Sequence, residues 1–313
     1  MHHPETKSRV GLGRIRLYLA LSRTPHGLLD MAAPAFAALL WLGRLPDALV
    51  AVVGLITTFA GYTAVYALND VVGYQSDRVK FLQGGFGDAG SDLDAVFIRH
   101  PLAQGHLRLA EGIAWTLVWG LVALAGAYWL NPVCIVIFLG GCVMETVYCL
   151  LWRVSPYRAL VSGAVKTLGA VAGVYAVDPH PSPVFVALLF GCLFAWEIGG
   201  QNVPNDWADL EEDRRFGGQT IPVRFGLDTS STIILWANLG AVILCGWLFY
   251  AVGGVGIAAW GTASVVMTLW LLLVPAVRLH YGATPALAMK LFNRASYFPA
   301  GLFCLALLRA LLI

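Results

Sequence analysis

The sequence predicts an all-α membrane protein, a bundle of about nine transmembrane helices. Three observations point there. Apolar residues make up 58% of the 313-residue chain and charged residues only 12%, about half of the roughly 25% usual in soluble domains. Mean hydropathy is +0.73. The apolar residues are also grouped into stretches near the length, about 20 residues, that a bilayer-spanning helix needs.

In chain order these stretches are approximately 27–43, 46–68, 112–130, 132–152, 159–177, 182–203, 229–251, 254–275 and 293–312. The first is short, and the seventh and eighth are divided only by the glycines of AVGGVG. None shows the ten-residue alternation of a membrane β-barrel. With the N-terminus in the cytoplasm, all of the 20 Lys and Arg residues except Arg44, Arg309 and the intramembrane Lys166 fall on the cytoplasmic side. The positive-inside rule therefore supports that orientation. A net charge of +2 is too small to suggest a nucleic-acid partner.

Residues 1–26 form a basic N-terminal segment with no short apolar core ahead of a cleavage site, so no signal peptide is expected. Its stretch VGLGRIRLYLAL reads either as an amphipathic helix in the membrane interface or as a partly ordered tail. Residues 27–313 form the membrane domain. The six cysteines (134, 142, 149, 192, 245 and 304) all lie in apolar spans without a CxxC pair, and read as small core residues.

Two polar stretches interrupt this pattern. NDVVGYQSDRVK, Asn69 to Lys80, follows the second span directly and carries Asp70 and Asp77 two helical turns apart. In QNVPNDWADLEEDRRFGGQTIPVRFG, residues 201–226, Asp206, Asp209 and Asp213 are spaced i, i+3, i+7 and would share one helix face. The charge bias puts both stretches on the same side of the membrane. Solvated loop charges are the bland reading of either alone, but two acidic faces at one end of an apolar bundle favour function. Converging carboxylates repel and call for a cation. Hard oxygen ligands select Mg²⁺, completed by waters and substrate phosphates. A diphosphate head at the interface with a hydrocarbon tail between the helices describes a prenyl diphosphate.

These residues resemble the UbiA-type intramembrane prenyltransferases, whose paired motifs are NDxxDxxxD and DxxDxxxD. HPLAQG (100–105) is similar to the family's RPLxxG segment, SPYRALVSGAVK (155–166) to a segment after the fourth span, and GGQTIPVRFG to the stretch after the second motif. The resemblance implies nine helices around a central apolar cavity. It implies Mg²⁺ held on one side by Asn69, Asp70 and Asp77 and on the other by Asp206, Asp209 and Asp213, and an allylic cation attacked by an acceptor. Two positions depart from the pattern: Gly73 replaces the middle aspartate of the first motif, and His100 replaces the arginine of RPLxxG, beside Arg99. The long connection between Asp77 and Arg99 is either a Gly-rich insertion or a source of a substitute carboxylate at Asp88, Asp92 or Asp94.

Further candidates lie nearby. Lys166, inside the fifth span, is expected on the diphosphate, with snorkelling as the alternative. Arg158 and Arg99 are cations placed to assist, or simply obey the positive-inside bias. Glu145 lies inside a span, and Glu197, Gln201 and Asn205 form a polar stripe that either touches the acceptor or cross-links helices. Asn202 adjoins the register of Asp206 and is a substrate-binding candidate. Tyr148, with Tyr157, offers a π face to a carbocation, the alternative being core packing. His280 and Tyr281 default to surface roles. The leading expectation is Mg²⁺-dependent transfer of a prenyl group to a lipophilic or aromatic acceptor. A terpene cyclase of the same architecture and a transporter or binder of a lipid diphosphate are the alternatives.

Overall fold

The structure, a computed structural model, describes residues 13–85 and 97–312, and these are overwhelmingly helical. Asp88, Asp92 and Asp94, and the start of the N-terminal segment, lie outside the described residues. The helices are α1 (Arg14–Leu21), α2 (Thr24–Asp30), α3 (Ala32–Leu42), α4 (Ala48–Leu82), α5 (Leu109–Leu130), α6 (Pro132–Leu150), α7 (Arg158–Val177), α8 (Pro183–Trp196), α9 (Val203–Ala208), α10 (Leu210–Phe216), α11 (Ile221–Val252), α12 (Ile257–Thr268), α13 (Val274–Gly282), α14 (Pro285–Ala295) and α15 (Phe298–Leu312).

Eight segments among the described residues are long and apolar enough to cross a membrane, against the nine expected. They match the second to ninth expected spans. The first, 27–43, is broken at Met31 into α2 and α3. Pro34 has no N–H to donate to the Asp30 carbonyl, so the helix cannot run through this point unbroken. The interruption lets α2 turn the buried His26 and Asp30 inward. Large apolar side chains such as Leu121, Val136, Trp236 and Trp270 stand exposed on the outer surface, as a lipid-facing surface requires. The chain is an integral, multi-pass membrane protein.

Two π-helical turns, Glu197–Asn202 and Leu269–Leu273, each lie just before a proline, Pro204 and Pro275. The missing N–H loosens the preceding turn, a known cause of such bulges. The first joins α8 to α9 and carries the polar stripe. The glycines between α11 and α12 make the turn the sequence suggested, with Gly253, Gly254 and Gly256 all at positive φ, where glycine alone is unstrained.

Small residues let the helices approach closely. A Cβ at Gly173 of α7 would stand 2.5 Å from the Pro34 carbonyl oxygen of α3. Such contacts drive helix association where lipid is as apolar as the core. The main core lies between α3, α7, α8, α11 and α13–α15, around Phe36, Leu189, Trp196, Phe249, Leu279 and Phe298. Between α2, α3, α4, α6, α7 and the π turn before Pro204 the packing leaves an apolar cavity of about 440 Å³.

Candidate active site

The acidic end of the bundle holds a second, polar pocket of about 140 Å³. Asp70, Asp77, Asp206, Asp209 and Asp213 all line it, together with Arg23, Lys80, Arg99, Arg158 and His100. Arg23, Asn69, Tyr148 and Asn205 line both this pocket and the apolar cavity, so the two adjoin through a shared wall.

Asp70 and Asp77 come from the far end of α4. At 35 residues and about 1.5 Å per residue, α4 is longer than the roughly 30 Å hydrocarbon core. Its last turns therefore carry charge. The imidazole of His100 lies between the two carboxylates, with Nδ1 2.9 Å from Asp70 Oδ1 and 3.3 Å from Asp77 Oδ2. His100 adopts a left-handed backbone, φ 52°, which is costly for a residue with a Cβ. The HPLAQG segment is held in place by burial of Leu102 and Leu107 against Leu21 and Ala67.

On the opposite wall each carboxylate has a donor. Arg158 Nη2 donates to Asp206 Oδ1 at 2.9 Å, and its guanidinium lies 4.5 Å from the Tyr148 ring centre. Arg99 Nη2 donates to Asp209 Oδ2 at 2.7 Å. Trp152 Nε1 donates to Asp213 Oδ1 at 3.2 Å, and Lys80 lies 3.8 Å from the Trp152 ring centre. Burial, chiefly, holds the Asp213 carboxyl above the usual carboxylate range, with Asp209 adding to the effect and Lys80 and Arg158 opposing it. The expected single helix face does not exist, because the chain kinks at Asp209 between α9 and α10. The three aspartates reach the same pocket all the same.

Several expected residues sit differently. Lys166 does not line the polar pocket: its Nζ donates to Asp30 Oδ2 at 2.5 Å and to the Tyr66 hydroxyl at 2.7 Å, at the wall of the apolar cavity. The break between α2 and α3 supplies that partner, so the lysine is held by an ion pair at the cavity wall. Asn69 Oδ1 accepts from Arg23 Nη2 at 3.0 Å, and its Nδ2 donates to Glu145 Oε1 at 2.6 Å, so its side chain spans the boundary between the two spaces. Asn202 lines the apolar cavity and donates Nδ2 to the Tyr148 hydroxyl at 3.1 Å. Tyr157 is exposed at the surface, and His280 pairs with Ser231 Oγ at 3.0 Å. Sequence reading did not single out Arg23, whose Nη2 is 3.9 Å from Asp70 Oδ1, nor Lys80 and Trp152. All three belong to segments whose basic or aromatic residues were accounted for by topology and interface position alone.

The donor set fits magnesium. Asp70 Oδ2 and Asp206 Oδ2 are buried and have no hydrogen-bond partner among the described residues, which is expensive unless something else pairs them. No three His, Cys, Asp or Glu side chains among the described residues already converge on one metal position. Mg²⁺ takes one or two carboxylates and completes its shell with waters and phosphate oxygens.

Residues 31–297 match the UbiA prenyltransferase family. The 4-hydroxybenzoate octaprenyltransferase of Shewanella woodyi is 25% identical over 250 residues, covering 77% of this chain and 82% of that protein. The protoheme IX farnesyltransferase of Methylococcus capsulatus is 29% identical over 213 residues, covering 65% and 67%. Among solved structures, a UbiA homolog from Archaeoglobus fulgidus bound to DMAPP and Mg²⁺ superposes with a TM-score of 0.69 at 18% identity, over 95% of this chain and 99% of that one. The apo UbiA homolog from Aeropyrum pernix K1 superposes with a TM-score of 0.71 at 19% identity, over 90% and 97%. The likeness of fold runs nearly end to end, and the family match spans both acidic motifs: the chain belongs to the UbiA prenyltransferase family.

Proposed function

We propose that the protein transfers a prenyl group from a prenyl diphosphate to a lipophilic or aromatic acceptor, with Mg²⁺ held by Asp70 and Asp77 on one wall and Asp206, Asp209 and Asp213 on the other. The observation that carries this reading is the junction of a polar, five-aspartate pocket with an apolar cavity of about 440 Å³. A charged head belongs in the first space and a hydrocarbon tail in the second. The named relatives, which include prenyltransferases for 4-hydroxybenzoate and protoheme IX, and a solved relative carrying DMAPP and Mg²⁺, support it.

Bound magnesium would supply Lewis-acid stabilisation of the negative charge on the leaving diphosphate. The chain's own residues do the rest. Arg158, Arg99 and Lys80 border the polar pocket and offer donors to phosphate oxygens as charge grows there. The allylic carbon–oxygen bond breaks with its electron pair left on the diphosphate, and the acceptor's nucleophilic atom bonds to the allylic carbon and gives up a proton. Tyr148, on the shared wall, presents its ring where a carbocation would pass. Lys166 lies outside this set and keeps Asp30 in place. The N-terminus and the acidic end face the cytoplasm in this proposal, in line with the distribution of basic residues.

The test is diphosphate release by the purified protein from geranyl to geranylgeranyl diphosphate, with and without Mg²⁺ and with and without aromatic and lipid acceptors. Acceptor-dependent release, lost in Asp70→Ala and Asp206→Ala, is expected. Acceptor-independent release with a cyclic hydrocarbon product would instead make the protein a cyclase, and Mg²⁺-dependent binding without any release would make it a binder or transporter.

A further inference from the structure

In transfer the nucleophilic atom of the acceptor gives up a proton, which needs somewhere to go. The five aspartates of the polar pocket are assigned to the metal, so the candidates lie along the apolar cavity. Three carboxylates stand at its wall. Asp30 is tied through Oδ2 to Lys166 and Tyr66, and its Oδ1 is shut in by the fold. Glu197 accepts from Ser162 Oγ at 2.6 Å on Oε1, and its Oε2 is shut in as well. Glu145 is different. Both contacts that reach it end on Oε1, from Asn69 Nδ2 at 2.6 Å and from Cys149 Sγ at 3.8 Å. Its Oε2 is not closed off in this way: Glu145 lines the cavity and keeps 8% of its surface there.

Asn69 fixes this arrangement. The Arg23 guanidinium can only donate, so the Asn69 oxygen faces it, with Oδ1 3.0 Å from Nη2, and Nδ2 is left for Glu145. Glu145 Oε1 is therefore an acceptor in either state of the carboxyl, and a proton taken up resides on Oε2. The position agrees with that role. Arg23, Asn69 and Tyr148 line both the polar pocket and the cavity. Glu145 bonds the second of these and precedes the third by one turn of α6, about 4.5 Å along the helix. An allylic carbon still joined to a diphosphate in the polar pocket lies at this shared wall, and Oε2 faces the space beside it. The charge of Glu145 is answered by Arg23, beyond Asn69, and by Lys166 on α7, so a carboxylate is not stranded there.

We propose that Glu145 is the base of the transfer, its Oε2 taking the acceptor's proton as the new bond forms. An electron pair of the acceptor closes on the allylic carbon, the pair of the broken bond to hydrogen stays with the acceptor, and the proton moves to Glu145 Oε2. The carboxyl passes that proton to water when the products leave. This rests on the transfer reading above and adds a residue to it, and it holds for an aromatic or a lipid acceptor alike.

The experiment compares the wild type, Glu145→Gln, Glu145→Asp and Glu145→Ala as purified, full-length proteins, with thermal melts to show that each is folded. Geranylgeranyl diphosphate is the donor, and the aromatic and lipid acceptors of the panel above include 4-hydroxybenzoate and a long-chain alkylglycerol. Diphosphate, prenyl alcohol and prenylated acceptor are all measured. Glutamine keeps an oxygen for Asn69 Nδ2 but cannot take up a proton. Glu145→Gln is therefore expected to lower kcat for transfer by at least about 10²-fold, the scale of a general base, and to leave KM for the prenyl diphosphate within about twofold. Cations that still form should be captured by water, so the ratio of prenyl alcohol to prenylated acceptor should rise. Glu145→Asp should recover part of the transfer, as should formate added to Glu145→Ala, where the truncated side chain leaves room for it. These two decide the matter should Glu145→Gln fail to fold. Transfer by Glu145→Gln within about twofold of the wild type would overturn the inference and leave Glu145 as a support for Asn69. A loss confined to KM for the diphosphate would overturn it too. Wild-type transfer with an intact glutamine variant thus sinks the base alone, whereas a wild type that transfers to no acceptor in the panel sinks the transfer reading and the base with it.

Discussion

Asp77 folds back along α4 across Gly73: a Cβ placed on Gly73 would stand 2.8 Å from Asp77 Oδ2. The residue that replaces the middle aspartate of the first motif thus makes room for the last one, whose same oxygen lies 3.3 Å from His100 Nδ1. Gly73→Ala should displace the Asp77 carboxylate, a flexible end group, without disturbing the helix. The exchange favours the helix by up to about 1 kcal/mol, so the melting midpoint should hold or rise. Diphosphate release should fall by up to about 10²-fold, the scale of a catalytic group misplaced by about 1 Å. Unchanged activity would show that the position of Asp77 is immaterial.

His100 joins Asp70 and Asp77 at 2.9 and 3.3 Å. Without it the two carboxylates face each other with less to hold them. His100→Ala is expected to lower kcat/KM for the prenyl diphosphate by about 10²-fold, the scale of losing one preorganised donor. His100→Arg, which places N–H donors between the two carboxylates, should retain more activity than the alanine variant. The reverse ranking would count against a bridging role.

The buried pair of Arg158 and Asp206 is a site where removing one partner strands a charge. Arg158→Met should destabilise the protein by about 3–5 kcal/mol, read as a lowered midpoint in mild detergent. The double variant Arg158→Met with Asp206→Asn should recover much of that loss while remaining inactive. A double variant no more stable than the single one would mean that the pair is not coupled.

Chelation of divalent cations should abolish diphosphate release, and added Mg²⁺ should restore it. Asp206→Asn should raise the Mg²⁺ concentration for half-maximal activity by about tenfold or more, the scale of losses at metal sites. An identical Mg²⁺ titration in wild type and variant would remove Asp206 from the metal site.

At the opposite end, Trp41 Nε1 donates to Asp178 Oδ2 at 2.9 Å, tying α3 to the turn after α7. The His180 backbone N–H, first, and Trp41 hold Asp178 below the usual carboxylate range. A lowered carboxyl pKa stabilises the folded state above the ordinary carboxylate value, and the contribution disappears as pH falls through the lowered one. Trp41→Phe should therefore reduce stability at pH 7 by less than about 1 kcal/mol, since the group is solvent-screened. The part of the loss due to the hydrogen bond should shrink below that lowered value. A pH-independent difference in melting midpoint would assign the whole effect to packing.

The membrane class, eight of the nine expected spans and the two acidic motifs were legible in the sequence because each is a local property. Hydropathy needs only a window of about 20 residues, and the acidic motifs are spaced along single short segments. Prolines 204 and 275 likewise announce the loosened turns before them. The sequence also marked Glu197 as polar within a span, but not whether its oxygens were used. Only the tertiary structure decided that Lys166 pairs with Asp30, 136 positions away, that Asn69 spans from Arg23 to Glu145, and that Gln201 ties the π turn to Phe292 and Ser296. These depend on which helix faces meet, and that is set by close approaches such as Gly173 on Pro34 and by the break at Met31. Side-chain reach across such contacts varies by ångströms with small changes in crossing and depth. No periodicity along one helix encodes it.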